Sequence, residues 1–224
     1  MKQAVCIAVA MLSLAAGSAQ NSHPPADATV TYDTLWEDST PQKYMITVKA
    51  SGEARYQSSN PTKPNPEDLD FDTRFTISAE NVKKIFDLAA ELNYFHGDFD
   101  FKDHPVAFTG KKTLSYNDAS RHFQTTYNWS TNKSLEQITQ IFQGIASTLQ
   151  HGRKLQYLHR YDRLGLEAEL KFMEEEAKNH QLAELQVISP DLQSIVDDYR
   201  VMHIARQRAR RLLRKAGVPV AEAQ

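Results

Sequence analysis

The stretch LDFDTRFTISAENVKKIFDLAAEL, residues 69–92, changes from one hydrophobic period to another within a few residues. Its first nine residues alternate, with an apolar or threonine side chain at every second position from Leu69 to Ile77, and this period of two is typical of a half-buried strand. Ser78 then supplies an N-cap oxygen, and apolar residues recur at helical spacing as far as Leu92. A strand that leads directly into an amphipathic helix predicts an α+β arrangement.

Two further patterns extend this arrangement. Residues 44–50 and 53–56 predict a hairpin around Gly52, and residues 111–117 and 121–129 predict a second one. Beyond residue 130 the period becomes 3.6 and does not change back, and the last helix is expected to end before Gly217. The sequence therefore predicts an α+β fold, in which an antiparallel sheet of hairpins is packed by two helices and followed by an all-helical C-terminal extension with a helical hairpin.

Five segments are expected along the chain. The N-terminus, MKQAVCIAVAMLSLAAGSA, has a lysine, a short apolar run and small residues around a cleavage point, which is the pattern of a secretory signal. The predicted boundaries are a signal peptide at 1–19, a tether and edge strand at 20–43, an α+β domain at 44–151, a helical domain at 152–217 and a flexible tail at 218–224.

Export and the cysteine count limit the chemistry. Cys6 is the only cysteine and lies inside the predicted signal, so the mature chain is expected to contain no disulfide, no thiolate ligand and no cysteine nucleophile. No later segment is apolar enough to predict a membrane span. We therefore expect a periplasmic or secreted protein that reaches its compartment through a cleaved signal peptide.

The segment NYFHGDFDFKDHP, residues 93–105, is the densest cluster of potential metal ligands. Counted from Asp98, it fails the calcium-loop pattern, because Lys102 stands at a ligand position, Asp103 replaces the glycine and Thr109 replaces the final glutamate. The alternative of a zinc site needs histidines that converge, and nothing in the local sequence makes two histidines eight positions apart do so.

We therefore interpret this segment as a polar loop that phenylalanines anchor to the core, and we predict no metal and no cofactor. An alternative remains open, in which the protein is an envelope hydrolase or metal-dependent enzyme that uses this loop. Its candidate ligands are His96, Asp98, Asp100, Asp103 and His104.

Two common hydrolase motifs do not occur. The chain has no Gly-x-Ser-x-Gly and no His-Glu-x-x-His, and its eight glycines do not form a phosphate-binding loop. No residue identifies itself as a nucleophile. The sequence therefore favours a protein that is not an enzyme.

The charge distribution singles out the last helix. Residues 162–198 contain ten acidic and three basic residues, whereas residues 199–215 contain seven Arg or Lys and no acid. Two interpretations stay open: the basic helix pairs internally with the acidic helix, or it binds an acidic protein or an anionic envelope component. Nucleic acid is not expected, because aromatic residues do not interleave with the arginines. The candidate interaction residues are Arg206, Arg210, Arg211, Arg214 and Lys215.

Three segments carry a resemblance to a known group of proteins: LNYFHGDFDFKDHPVAFTGKKTLSYND (92–118), QTTYNWS (124–130) and LHRYDRLGLEAEL (158–170). They resemble a group of exported bacterial proteins with no assigned activity. The resemblance implies export and transfers no catalytic residue. Together these observations predict an exported, non-catalytic binding or interaction module.

Overall fold

The computed structural model describes residues 24–61 and 70–219. The predicted signal peptide, most of the proline-containing loop before residue 70 and the end of the predicted tail lie outside these residues. Within them the α+β class is confirmed, because six strands form one antiparallel sheet and most of the helical structure follows the sheet in the chain. The strands are β1 (Thr29–Leu35), β2 (Lys43–Lys49), β3 (Glu53–Ser59), β4 (Phe71–Thr76), β5 (Lys111–Asn117) and β6 (His122–Tyr127).

The strand order is β4-β3-β2-β1-β5-β6, which corrects one expectation. We predicted an edge strand within residues 20–43, but β1 pairs with β2 on one side and with β5 on the other, and so lies inside the sheet. The sequence showed only the strand's N-terminal position. Its second partner returns to the sheet after β2, β3, β4 and a helix, and no local pattern reports such a distant pairing.

Both predicted hairpins and the strand-to-helix transition are confirmed. β2 and β3 pair around Gly52, whose φ of +88° suits glycine, and β5 pairs with β6 around Asp118. After β4, helix α1 (Ala79–Glu91) begins where the Ser78 hydroxyl accepts the backbone N–H of Asn81.

Helix α2 (Lys133–Tyr161) joins the two parts of the fold. Its N-terminal part packs with α1 on the inner face of the sheet, in a core that extends as far as Leu149 along this helix. From Leu155 the same helix contributes to a second core, formed with the C-terminal helices. The boundary that we predicted at 151/152 falls inside α2, so the second core begins without a linker.

The C-terminal helices are α3 (Leu166–Lys178), α4 (Ser189–Asp197) and α5 (His203–Lys215). α5 packs on both α4 and α3. α5 ends as predicted, since Ala216 caps it and Gly217 follows with a φ of +72°. None of the helices in residues 24–61 and 70–219 combines the length and the apolar character needed to cross a bilayer.

The segment 181–188 crosses α2 where two glycines allow close approach. A Cβ on Gly144 would lie 3.1 Å from the backbone nitrogen of Ala183, and a Cβ on Gly152 would lie 2.5 Å from Cγ2 of Ile188. Thr148 donates its hydroxyl to the Ala183 carbonyl at 2.7 Å. The crossing therefore depends on residues without a side chain at two points of the helix surface.

Glu184 attaches this crossing segment to α1. Its buried carboxylate accepts the backbone N–H of Ser78 at 2.8 Å, the Ser78 hydroxyl at 2.7 Å and the Asn81 amide at 2.5 Å. A carboxylate at a helix N-terminus accepts hydrogen bonds from N–H groups that have no partner within the helix, and it interacts favourably with the helix dipole. Glu184 thus caps α1 from a distant part of the chain and links the C-terminal helices to the helix that packs on the sheet.

Candidate functional site

The two histidines of the 93–105 loop pack against separate aromatic rings. His96 packs on the ring of Phe123, with 4.6 Å between ring centroids, and His104 packs edge-on against Phe101 at 4.8 Å. Across the two described ranges, no group of three His, Cys, Asp or Glu residues is placed to hold a metal ion.

The three aspartates of the loop have other partners or face solvent. Asp98 pairs with Lys102, Asp100 accepts the backbone N–H of Asn128 at 2.8 Å, and Asp103 is exposed. The predicted anchoring holds for Phe95, which is fully buried, and for Phe99, which packs against the core. The geometry is that of an anchored loop.

A left-handed turn precedes this loop. Asn93, Tyr94 and Phe95 have φ values of +49°, +55° and +68°, which is unfavourable for residues other than glycine. The turn is held by aromatic and cation–π contacts, since the Tyr94 ring lies 4.7 Å from the tilted ring of Tyr116 and has the Arg121 guanidinium 3.8 Å from its centroid. The strain therefore has a packing explanation.

The basic helix α5 pairs internally on one flank. Arg208 bonds to Glu167 at 3.0 Å and also pairs with Glu174, and Arg211 lies 2.6 Å from Glu174. Lys215 donates to the carbonyl of Ala177. Acidic and basic helices therefore do pack together, and two of the five predicted interaction residues, Arg211 and Lys215, contribute to that packing.

The other flank, which we call the arginine ridge, consists of Arg206, Arg210 and Arg214. These residues make no ion pair with any residue that the structure describes, and the Nε atoms of Arg206 and Arg210 are buried without a hydrogen-bond partner there. The pairing thus involves Arg208, which was not among our candidates, and leaves the ridge unpaired. Helical rotation explains the difference, because positions 208 and 211 face α3 whereas 206, 210 and 214 follow a separate row.

A concave site between the sheet and the helices was not predicted. A cleft of about 910 Å³ lies between the inner face of the sheet and helices α2 and α3, with the β1–β2 loop at its rim. Its volume is within the range of small-molecule sites. The lining residues combine hydroxyl, amide, aromatic and charged groups.

The floor of this cleft is the last inward-facing row of the sheet. Thr34 on β1 lies opposite Tyr44 on β2 and opposite Lys112 on β5, and Tyr44 lies opposite Ser58 on β3. One step further into the sheet, the same face carries the fully buried Tyr32, Ile46 and Leu114. The inner face is therefore apolar under the helices and polar where the cleft opens.

Lys112 is the unusual member of this row. Its side chain is buried, and its ammonium donates to the Asn128 carbonyl at 2.8 Å and to the Thr109 hydroxyl and carbonyl at 3.0 and 3.1 Å. Burial lowers the pKa of Lys112 from its ordinary value, and the charge of Asp100 opposes that shift. The ammonium is thus fully occupied by neutral acceptors and ties the start of β5 to the chain after β6.

The helical wall carries a chain of hydrogen-bonded charges. His151 Nδ1 lies 2.6 Å from Oε1 of Glu169, and its Nε2 lies 2.6 Å from Oε2 of Glu176. Lys154 Nζ lies 2.5 Å from the other oxygen of Glu169. With both carboxylates ionised, each ring nitrogen of His151 donates, and the ring is then an imidazolium.

The pKa shifts agree with this assignment. Burial would lower the pKa of His151, but hydrogen bonds to Glu169 and Glu176 outweigh burial and hold the pKa above its ordinary value. Burial would raise the pKa of Glu169, but hydrogen bonds from His151 and Lys154 hold it below its ordinary value. Both shifts favour the charged forms of the His151–Glu169 pair.

Aromatic side chains form much of the remaining wall. The rings of Tyr44 and Tyr56 are 5.9 Å apart on neighbouring strands, and Phe172 packs against the His151 ring with 5.8 Å between centroids. Trp36 and Tyr157 also line the cleft. Phe172 and Tyr157 are more than half exposed and so offer apolar surface that the fold itself does not bury.

Two sequence signals could have located the cleft. In β5, KKTLSYN, alternation places Lys112 on the same face as the apolar Leu114, and a lysine at an inward position is unusual without a function or a specific partner. In α2, His151 interrupts an apolar stripe between Leu149 and Leu155. Neither signal shows that strand β5 and helix α2 meet at one cleft, which depends on the tertiary packing.

No protein-family model matches the chain, and no curated protein matches it.

Proposed function

We propose that the protein is an exported, non-catalytic binding protein whose small ligand occupies the cleft between the sheet and helices α2 and α3. The observation that carries this proposal is the double hydrogen bonding of His151. An imidazolium that donates from both nitrogens has no lone pair with which to accept a proton, so it cannot act as a general base.

The other ionisable groups in the cleft support the same conclusion. Glu169 is occupied by His151 and Lys154, and Glu176 by His151. The Lys112 ammonium is held by main-chain and threonine oxygens rather than presented as a free amine. These groups shape and charge the wall, and the exposed aromatic surface beside them suits binding.

Export is the second part of this proposal and rests on the sequence. Residues 1–19 have the charged start, apolar run and small-residue end of a secretory signal. A test is to express the full chain with a C-terminal tag and to measure the N-terminus of the product in the medium or periplasm. A mature N-terminus near Gln20 is expected, and uncleaved protein in the cytoplasm would contradict export.

The cleft is tested by a thermal-shift screen of small molecules, followed by titration of each stabilising compound. Tyr157→Ala and Phe172→Ala are expected to weaken binding about tenfold, because they remove aromatic surface from the cleft. Tyr161→Ala is a matched control, since Tyr161 lies on the same helix with its ring 5.1 Å from Tyr157 and does not line the cleft. Hits that respond equally to all three variants would overturn the proposal, as would conversion of a hit to a product.

A second binding surface is favoured by one observation, the absence of acidic partners along the arginine ridge in the described part of the chain. We propose that the ridge contacts an acidic protein or an anionic envelope component. Arg206→Gln/Arg210→Gln/Arg214→Gln is expected to reduce binding to poly-glutamate or to phosphatidylglycerol vesicles. Arg208→Gln/Arg211→Gln, which removes the paired flank, is the control and should retain that binding. Equal loss in both variants would count against a specific ridge.

A further inference from the structure

We propose that the ligand of the cleft is a small organic carboxylate, with its carboxylate bound by Arg153 and its body against the aromatic walls. This inference rests on the proposed function, because it names the ligand class of the same cleft.

Arg153 is free to bind an anion. It lies on the face of α2 that also presents Gln150 and Tyr157 to the cleft. Its guanidinium makes no ion pair or hydrogen bond with the residues that the structure describes, and it contacts the ring of Phe71 at 5.5 Å. Arginine has a planar set of N–H donors that matches the two oxygens of a carboxylate.

Arg153 makes no ion pair with an acid in residues 24–61 or 70–219. Asp191 lines an adjoining cavity of about 360 Å³ together with Arg153, but it accepts the Gln156 amide at 3.0 Å and forms no ion pair with Arg153. Glu169 and Glu176 are bonded to His151. Among the described residues, the charge of Arg153 is thus not neutralised by an acid.

The cleft as a whole carries an excess of positive charge. Four cationic side chains line it and only two carboxylates oppose them, although the formal net charge of the chain is −2. A concave wall with one sign of charge in excess concentrates ions of the opposite sign. The cations are Lys112, His151, Arg153 and Lys154, and the carboxylates are Glu169 and Glu176.

The aromatic walls favour an organic anion over an inorganic one. A phosphate or sulfate ion would fill a small part of a volume of about 910 Å³ and would leave four partly or largely exposed aromatic residues without contact. A carboxylate with an apolar body satisfies the guanidinium and covers this surface together. The four residues are Trp36, Tyr44, Tyr157 and Phe172.

The test uses calorimetric titration of the folded chain with benzoate, indole-3-acetate and octanoate, each compared with its primary amide, and with inorganic phosphate. At least one carboxylate is expected to bind about tenfold or more tightly than its amide, because a hydrogen-bonded charge pair contributes more than a neutral pair. Arg153→Gln should abolish this preference. Arg153→Lys keeps the charge but loses the paired donors, so it should retain part of it.

Arg160→Gln is the matched control, since Arg160 is also on α2, lies 5.2 Å from the ring of Tyr161 and does not line the cleft. It should change nothing. Equal affinity for acid and amide, an unchanged preference in Arg153→Gln, or phosphate binding as tight as that of the carboxylates would overturn the inference. Neutral compounds that bind and respond to Tyr157→Ala would leave the proposed function standing while this inference fails. If no compound in either experiment binds, both fail.

Discussion

Nδ1 of His151 lies 2.6 Å from Oε1 of Glu169, and this hydrogen bond joins α2 to α3 across the wall of the cleft. The second ring nitrogen, Nε2, bonds to Glu176, which lies one helical turn after Phe172 on α3. The wall is therefore held by an imidazolium between two carboxylates. Its charge state decides both the stability of the wall and the electrostatic character of the cleft.

The first prediction concerns pH. The pKa of His151 is raised in the folded chain, so its contribution to stability is fully present below the unfolded pKa of about 6.5 and is lost as the pH rises through the folded pKa. His151→Gln should therefore lower the free energy of unfolding by about 3 kcal/mol at about pH 6 and by less at about pH 9. Urea unfolding of both proteins across this range measures the difference.

The contribution of Glu169 to stability depends on pH in the opposite direction. The pKa of Glu169 is lowered, so its contribution is present above its ordinary pKa and is lost as the pH falls through the folded value. A difference between wild type and His151→Gln that stays constant from pH 6 to pH 9 would contradict the assigned imidazolium.

The second prediction concerns the distant cap on α1. Glu184→Ala removes the acceptor of the Ser78 N–H, the Ser78 hydroxyl and the Asn81 amide, and should lower the free energy of unfolding by about 2–3 kcal/mol. Chemical denaturation measures the loss. Glu175→Ala, at an exposed position of α3, is the control and should change stability by less than about 0.5 kcal/mol. Equal effects at the two positions would show that the cap contributes nothing specific.

The third prediction concerns the crossing of α2 by residues 181–188. Gly152→Ala places a methyl group 2.5 Å from Cγ2 of Ile188 and should cost about 1–3 kcal/mol, although alanine favours an isolated helix. Thermal unfolding measures this. Ile188→Ala removes the clashing atom, so the double variant should lose less stability than the two single changes together. Additive losses would argue against a direct contact.

The fourth prediction separates the two flanks of α5. Arg208 is mostly buried and bonds to two carboxylates, so Arg208→Gln should destabilise the fold by about 1–3 kcal/mol. Arg206→Gln, one residue of the unpaired ridge, should have a much smaller effect. Urea unfolding of the two variants gives the comparison. A larger loss in Arg206→Gln would mean that the ridge, rather than the Arg208 flank, is the structural contact.

The features that could be predicted from the sequence are those that depend on local periodicity and on neighbouring residues. The alternation from Phe71 to Ile77, the cap at Ser78 and the glycine turn at Gly52 each depend on neighbours a few residues away, and the structure has all three. The position of β1 inside the sheet depends on its pairing with β5, which is distant in the chain, so the prediction of an edge strand was wrong.

The candidate site was missed for a related reason. The 93–105 loop gathers polar residues along the chain, but the structure pairs them with separate neighbours. The cleft instead gathers residues from β1, β2, β3, β5, α2 and α3, which lie far apart in the sequence. Lys112 at an inward strand position and His151 on an apolar helix face were the two signals in the sequence. Placing them in one cleft also requires the register of the strands and the packing of α2 on the sheet.

The most direct test is a crystal structure of the protein with the carboxylate that binds it most tightly. We expect the ligand in the cleft, its carboxylate within hydrogen-bond distance of Arg153, its body against Tyr157 or Phe172, and its bonds intact. A ligand bound at the 93–105 loop or outside the cleft, or a ligand found as a reaction product, would contradict it.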